Sequence, residues 1–421
     1  MNQVPRDPWP DATLPLLRDP YRYISRRCRR LGTDAFRTRL LGKPTLCVTG
    51  PEAARFFYEP GAFTREGAIP ERIAGVLFGQ DGIQRLDGER HHHRKALYLD
   101  LLTGPGLDDL DAAAADFWDA AALRFSKAEQ IDVFPEMARV LTEAVCRWAG
   151  VPLKPSEVPA TAEMLTSMFL HAAAVGPRHR QGVRMRRRAH DWARSHIRRA
   201  RHDRAAGRRD AVSMIAGWQD VDGNAITADV AATELLSVLR PTVAVAVYVT
   251  FTVMALHRHP EHREAVAQDP EARHHFVQEV RRVYPFFPMT GAVSVRDLEW
   301  AGQPIPRGTR VLLDLYGTCR DPRAWSDPDR FLPERFDGWT GNPWTMIPQG
   351  GGTHGITHRC AGEWITIRLM ELFAERFAGS DYDVLTPDAA PDYRTAPALP
   401  NGGVLLSNFS GRPASVGVPP G

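Results

Sequence analysis

The sequence predicts a mainly α-helical fold with a minor β component. Four long stretches, residues 107–125, 157–174, 227–258 and 271–283, place apolar side chains at helical spacing. Strand-like segments are short: 35–40 and 44–48 around Gly42, then 293–295, 310–314 and 403–407. No fixed-period repeat and no long linker divides the chain, so one domain over residues 1–421 is expected, with 1–15 and 410–421 extended.

The longest helix has a plausible N-cap in Thr227 and contains the longest apolar run, residues 242–256. That run is shorter than the ~20 residues of a membrane span, and Arg240 interrupts it upstream. A buried core helix is therefore expected, with no membrane span. Residues 178–209 are crowded with arginine (Arg186, Arg187, Arg188, Arg198, Arg199), which reads as a solvated surface helix pair. The net charge of +3 is too small to argue for a nucleic acid partner. Five cysteines (Cys28, Cys47, Cys146, Cys319, Cys360) without a CxxC pair suit reduced thiols and a cytoplasmic enzyme.

The stretch from Pro348 to Trp364 is the most informative. Gly350, Gly351 and Gly352 lead through His358 and Arg359 to Cys360 and Gly362, and a helical run follows. A cysteine at a helix N-terminus is expected to have a depressed pKa. Glycines let the backbone lie close to a flat ligand, and the two basic residues can serve anionic carboxylates. A buried structural cysteine and a catalytic nucleophile are the other readings. The loop is poor core material, and no base or oxyanion hole can be assigned.

Two further marks stand in order before Cys360. Glu279 and Arg282 are spaced i,i+3 on one helix face and can pair there. Arg320-Asp-Pro, Trp325, Phe331 and Pro333-Glu-Arg-Phe336 follow. Together with the cysteine loop, this set resembles the cytochrome P-450 superfamily over nearly the whole chain. The resemblance implies heme b (iron protoporphyrin IX) held between the long central helix and the helix after the cysteine loop. Cys360 would be the axial thiolate ligand of the iron. One departure is that Thr353 and His354 stand where the superfamily usually has Phe and Gly.

The central helix departs further. The superfamily's acid–threonine pair is missing, and Arg240-Pro241 stands in its place, followed by Thr242. An arginine inside an apolar helix is costly unless paired, and the proline should kink the helix. A guanidinium there can snorkel or pair internally, or it can receive a carboxylate in bidentate geometry. The Arg-Pro pair resembles the superfamily's fatty-acid peroxygenases. So do Arg65 to Arg72, Leu77-Phe78-Gly79, Asp87 to Lys95 and Tyr284 to Pro288.

This second resemblance implies hydrogen peroxide as oxidant, a fatty acid as substrate and no redox partner. Arg240 would anchor the substrate carboxylate, which then moves the proton that peroxide cleavage requires. A charge-assisted hydrogen bond contributes roughly 1.5–3 kcal/mol and each buried methylene about 0.8, so a long chain supplies affinity and Arg240 supplies position. Phe78, Leu77, Leu170, Phe286 and Phe287 are candidate walls of an apolar tunnel.

Gln84 occupies a distal position at which family members vary between Gln and His. A neutral Gln favours hydroxylation at the alpha or beta carbon over decarboxylation to a terminal alkene. His91 and Lys95, with Arg65 and His358, are candidate partners of the heme propionates, whereas His92 and His93 read as surface residues. A reductase-dependent monooxygenase and a non-catalytic heme carrier or sensor are the rival classes.

Overall fold

The computed structural model describes residues 4–203, 209–284 and 286–411. In chain order the principal elements are α1 (Thr13–Arg18), α2 (Tyr23–Leu31), β1 (Ala35–Leu40), β2 (Lys43–Val48), β3 (Phe63–Thr64), α3 (Glu71–Leu77), α4 (Gly88–Leu101), α5 (Pro105–Phe125), β4 (Ile131–Asp132), α6 (Val133–Ala149), α7 (Val158–Leu170), α8 (Pro177–His202), α9 (Ala228–Arg258), α10 (Pro270–Val283), β5 (Met289–Ser294), β6 (Arg310–Asp314), α11 (Glu363–Ala378), β7 (Asp381–Val384) and β8 (Leu405–Ser410). Mainly α with minor β is therefore the observed class. The larger sheet runs β1-β2-β6-β5-β3, and its parallel β2–β6 pair (Thr45 opposite Arg310) ties the N-terminal hairpin to a strand far along the chain. A second sheet runs β4-β8-β7.

The core forms around α9. Thr227 caps it as expected, its hydroxyl accepting from the Val230 N–H at 3.2 Å. From Ala231 to Leu256 every residue except Pro241 is buried. Helices α6, α7, α8 and α11 pack around it. It is the one described helix long and apolar enough to cross a membrane, and those apolar positions are instead spent on the core. The helix continues through Pro241, which cannot donate to the Ser237 carbonyl. Thr242 turns its hydroxyl back to the Val238 carbonyl at 2.9 Å, so that group is occupied within the helix.

Three expectations need correction. The arginine-rich segment is one helix, α8, not a solvated pair, and it presents Gly182, Met185, Arg186, Ala189, Ala193 and Ile197 inward at helical spacing. Residues 204–208 of that segment lie outside the described residues. Helix α1 begins at Thr13, inside the stretch expected to be extended, and α7 ends at Leu170 rather than continuing to 174. Of the expected C-terminal extension, residues 412–421 lie outside the described residues, and β8 runs to Ser410.

Below α9, α10 carries a buried acid–base junction. Arg282 donates to both Glu279 oxygens, at 2.6 and 2.7 Å, and both side chains are fully buried. Glu279 also accepts from Arg335 at 3.2 Å and from the Leu332 N–H at 2.8 Å. Arg282 further donates to the Cys319, Pro328 and Arg330 carbonyls. One pair thus fixes the irregular chain between β6 and the cysteine loop, where the Trp325 ring lies 5.5 Å from the Arg282 guanidinium.

Glu279→Gln leaves two buried guanidiniums facing a neutral group and should cost about 3–5 kcal/mol, read by chemical denaturation. A second expectation concerns Asp314 at the end of β6, whose carboxyl burial pushes up to about 7 against hydrogen bonds from Gly317, Ser25 and Thr49. An unfolded Asp loses its proton near pH 4, so the folded chain holds one more proton between about 4 and 7. This group's contribution to stability should fall by about 1.4 kcal/mol per pH unit across that window. Asp314→Asn should flatten the decline in denaturation series run at both ends of it.

Candidate active site

Two faces meet here, the cysteine loop below and the Arg240 stretch of α9 above. In the loop, Gly350 adopts φ +92°, and a Cβ there would come 3.0 Å from the Tyr58 hydroxyl and 3.2 Å from the Arg359 Cα. The Cys360 N–H donates to the Gln349 carbonyl at 3.0 Å, and α11 starts three residues on. Cys360 is half-buried and unpaired. Its thiol does not follow the expected depression. Burial pushes it up, and the Gly362 N–H, Lys95 and Arg281 pull back only part of that.

A polar network holds the loop from beneath. Buried Arg281 donates to Gln349 Oε1 at 2.9 Å, to Gln278 Oε1 at 2.5 Å and to Glu363. Glu363 also binds Arg359 at 2.5 Å, and Gln349 donates to the Thr366 hydroxyl at 3.0 Å. The His354 ring lies 3.8 Å from that of Trp364.

The residues expected to serve heme propionates do gather. The His91 and His358 rings lie 4.0 Å apart, and His358 Nε2 is 3.1 Å from Asp87 Oδ1. Burial pulls His91 down to about 3 and His358 down to about 4, so both rings are neutral at pH 7. Arg65 lies 4.5 Å from the Phe57 ring and donates to the Gly291 carbonyl at 2.7 Å. Lys95 behaves differently. Its ammonium donates to the Thr357 carbonyl and, at 2.7 Å, to the Arg359 carbonyl, holding the loop from above. His92 is exposed as expected, whereas His93 is half-buried and within 2.9 Å of the Gln219 carbonyl.

Arg240 is 5% exposed and has no acidic partner among the described residues. It donates to the Leu77 carbonyl, and its guanidinium lies 5.8 Å from the Phe78 ring centroid. Burial first, and Arg186 second, pull its pKa down to about 9, while Tyr98 and Cys360 favour its charge. It stays protonated at neutral pH. Phe78, Leu170, Phe286 and Phe287 are half-buried against the main core, and Phe286 packs on Phe169 at 5.7 Å and on Phe287 at 4.4 Å. Gln84 Oε1 is buried without a hydrogen-bond partner.

Two functional neighbours escaped the sequence reading. Glu234, fully buried in α9, binds Arg94 and Tyr98, and burial raises its pKa. It lies six residues before Arg240, off that residue's helix face, and pairs with α4 instead. Arg186 is 7% exposed, lies against Gly79, feels the charge of Glu234, and among the described residues its one hydrogen bond is to the Thr233 hydroxyl, at 3.4 Å. Both could have been found, Glu234 as a charge in an apolar helix and Arg186 from the helical phase of α8.

Residues 273–377 match the Cytochrome P450 family. Cytochrome P450SP alpha (CYP152B1), solved in complex with (R)-ibuprophen, is 42% identical, with 96% of this chain and 99% of that chain covered and a TM-score of 0.93. Cytochrome P450EX alpha (CYP152N1), solved with myristic acid, is 37% identical over 98% of this chain and 100% of its own, with a TM-score of 0.94. Ligand-free cytochrome P450 OleT is 34% identical over the same shares, also with a TM-score of 0.94. The first curated relatives, plant cytochromes P450 from Thymus vulgaris and Origanum vulgare, are matched over only 16–18% of their length.

Gly79 provides a test of the packing around Arg186. It adopts φ +78°, and a Cβ there would overlap the Arg186 guanidinium. Gly42 adopts a similar φ of +72° with nothing within 4 Å. Gly42→Ala should cost only the left-handed backbone penalty, about 1–2 kcal/mol. Gly79→Ala should cost more, and Arg186→Ala in the same chain should recover the excess, as read by urea denaturation.

Proposed function

The chain belongs to the cytochrome P450 family, and we propose that it is a hydrogen-peroxide-dependent fatty-acid hydroxylase in which Arg240 holds the substrate carboxylate. The family's cofactor is heme. The residues present suit it. Cys360 is a half-buried free thiol, His91, His358, Arg65 and Lys95 gather near its loop, and the carboxylates there are already engaged, Asp87 by His358, Thr64 and the Arg65 N–H and Glu363 by Arg281 and Arg359. That surplus of donors fits a flat group bearing two carboxylates.

Cys360 would hold the iron, His91, His358 and Arg65 would face the propionates, and Lys95 would fix the loop that presents the sulfur. When bound, the heme supplies iron that splits the O–O bond of peroxide, with electron density pushed from the thiolate.

The chain's own contribution is positioning and charge. An arginine has five N–H donors in a planar fork, and the Leu77 carbonyl takes one, leaving the rest for a carboxylate. The bound carboxylate then serves as the proton carrier that the helix lacks, since Thr242 is tied to Val238 and Glu234 to Arg94 and Tyr98. Phe78, Leu170, Phe286 and Phe287 take the alkyl chain and exclude water. Gln84 Oε1 is a free acceptor that does not titrate, so it can orient an O–H group without competing for its proton.

This assignment places hydroxylation at the alpha or beta carbon. Solved relatives holding myristic acid and (R)-ibuprophen, both carboxylic acids, support an acid as ligand. The uncompensated charge of buried Arg240 carries the proposal.

Purified protein, peroxide and a fatty-acid series should yield 2- or 3-hydroxy acids with no reductase present. Turnover that requires a reductase would refute the peroxide assignment, and terminal alkenes as the main product would refute the hydroxylation assignment. Arg240→Ala should lower kcat/KM for fatty acids roughly 30-fold or more, the equivalent of losing about 2–5 kcal/mol of a buried charge contact. Its thiolate-heme absorption should be unchanged.

A further inference from the structure

The net charge of +3 conceals a strong asymmetry. Residues 1–45 contain ten Arg or Lys and four Asp, a net of +6, so the remaining 376 residues carry −3. The four acids of that segment are all engaged. Asp7 binds Arg27, Asp19 binds Arg22 and Arg26, Asp34 binds Arg323, and Asp11 accepts from the backbone of Thr13 and Gly42. Arg18, Arg39 and Lys43 are exposed and have no acidic partner among the described residues.

Large apolar side chains stand exposed among these cations. Leu14 is 65% exposed, Leu17 51%, Leu41 59% and Trp9 55%. Leu14 and Leu17 share one face of α1, at i,i+3. The β1–β2 turn brings Leu41 beside them. The Leu41 N–H donates to the Thr13 hydroxyl at 2.7 Å, and the Ala12 N–H donates to the Arg39 carbonyl at 2.8 Å. No residue of α1 is fully buried.

Leu41 also sits at φ +52°, a left-handed conformation that suits Gly or Asn and strains a leucine. Neither core packing nor turn chemistry explains a bulky side chain held in that conformation and aimed at water.

We infer that the α1 face and the β1–β2 turn form a docking surface for an anionic phospholipid bilayer. The leucines would enter the headgroup boundary, and Arg18, Arg39 and Lys43 would meet lipid phosphates. Apolar side chains ringed by unpaired cations match the chemistry of such an interface, whereas a purely polyanionic partner such as nucleic acid gives three exposed leucines nothing to bury against. The surface is independent of the peroxide and fatty-acid assignments, although a lipid-derived substrate would give it a use.

The test is co-sedimentation of the holoprotein with vesicles of pure phosphatidylcholine, and with vesicles in which about one lipid in three is phosphatidylglycerol. Binding should be about tenfold or more tighter on the anionic vesicles and should weaken as salt rises. Leu14→Gln with Leu17→Gln should weaken it by about tenfold. Leu41→Gly should weaken it too while raising folding stability, so its loss of binding cannot be blamed on misfolding. Equal binding to neutral vesicles, wild-type binding by these variants, or displacement by duplex DNA as effective as by excess anionic vesicles would each overturn the inference. Because sedimentation needs no turnover, the result stands whether or not the enzyme proves to use peroxide.

Discussion

A buried cation in the middle of the central helix, with no acidic partner among the described residues, is the constraint from which the site follows. Arg240 cannot reach water, and the side chain of the same helix that could have neutralised it, Glu234, is bound to Arg94 and Tyr98. Removing one partner from a buried pair costs several kcal/mol, and a fold that leaves a guanidinium unpaired accepts a related penalty permanently. That penalty is relieved when an anion enters. Under the proposed function, affinity for a carboxylate would rest as much on the instability of the empty site as on the contacts made in the filled one. Arg186, a second buried guanidinium close enough to disfavour the charge on Arg240, sharpens the demand.

The opposite face follows a different rule. Near the cysteine loop each arginine reaches a carboxylate, but two share each one: Arg281 and Arg359 share Glu363, and Arg282 and Arg335 share Glu279. These networks lock the backbone beneath the sulfur. Burial is the largest influence on the thiol and pushes it up. If Cys360 holds the iron as proposed, the metal's own charge would favour the thiolate. The lower face is fixed by shared ion pairs, whereas on the upper face Arg240 has no acidic partner among the described residues.

How far these features were legible in the sequence depended on whether local pattern or tertiary packing decided them. The helix through Thr227–Arg258, the hairpin around Gly42 and the β6 strand were readable because periodicity and turn residues fix them locally. Glu279, Arg282 and Arg240 were readable because a charge in an apolar or strictly spaced context has few places to go. The hold of Lys95 on the Thr357 and Arg359 carbonyls was not legible, because a lysine near a cofactor and a lysine holding a loop look identical until those carbonyls are placed around it. Arg186 was lost in a crowd of arginines. Only its phase, shared with Gly182, Met185, Ala189 and Ala193, separates it from its exposed neighbours Arg187 and Arg188.

That distinction bears on the segment between the two buried cations. Leu77, Phe78 and Gly79 form the corner at the end of α3. Arg240 grips the Leu77 carbonyl, and Arg186 lies against Gly79, so the corner is held at both ends by groups that repel each other. A carboxylate bound at Arg240, as proposed, would screen that repulsion while the Leu77 carbonyl keeps its one N–H. The corner bearing Phe78 is therefore mechanically coupled to the charge state of the site. If Phe78 lines the chain pocket and Arg240 receives the acid as proposed, chain fit and carboxylate binding would share this corner and could not be tuned independently.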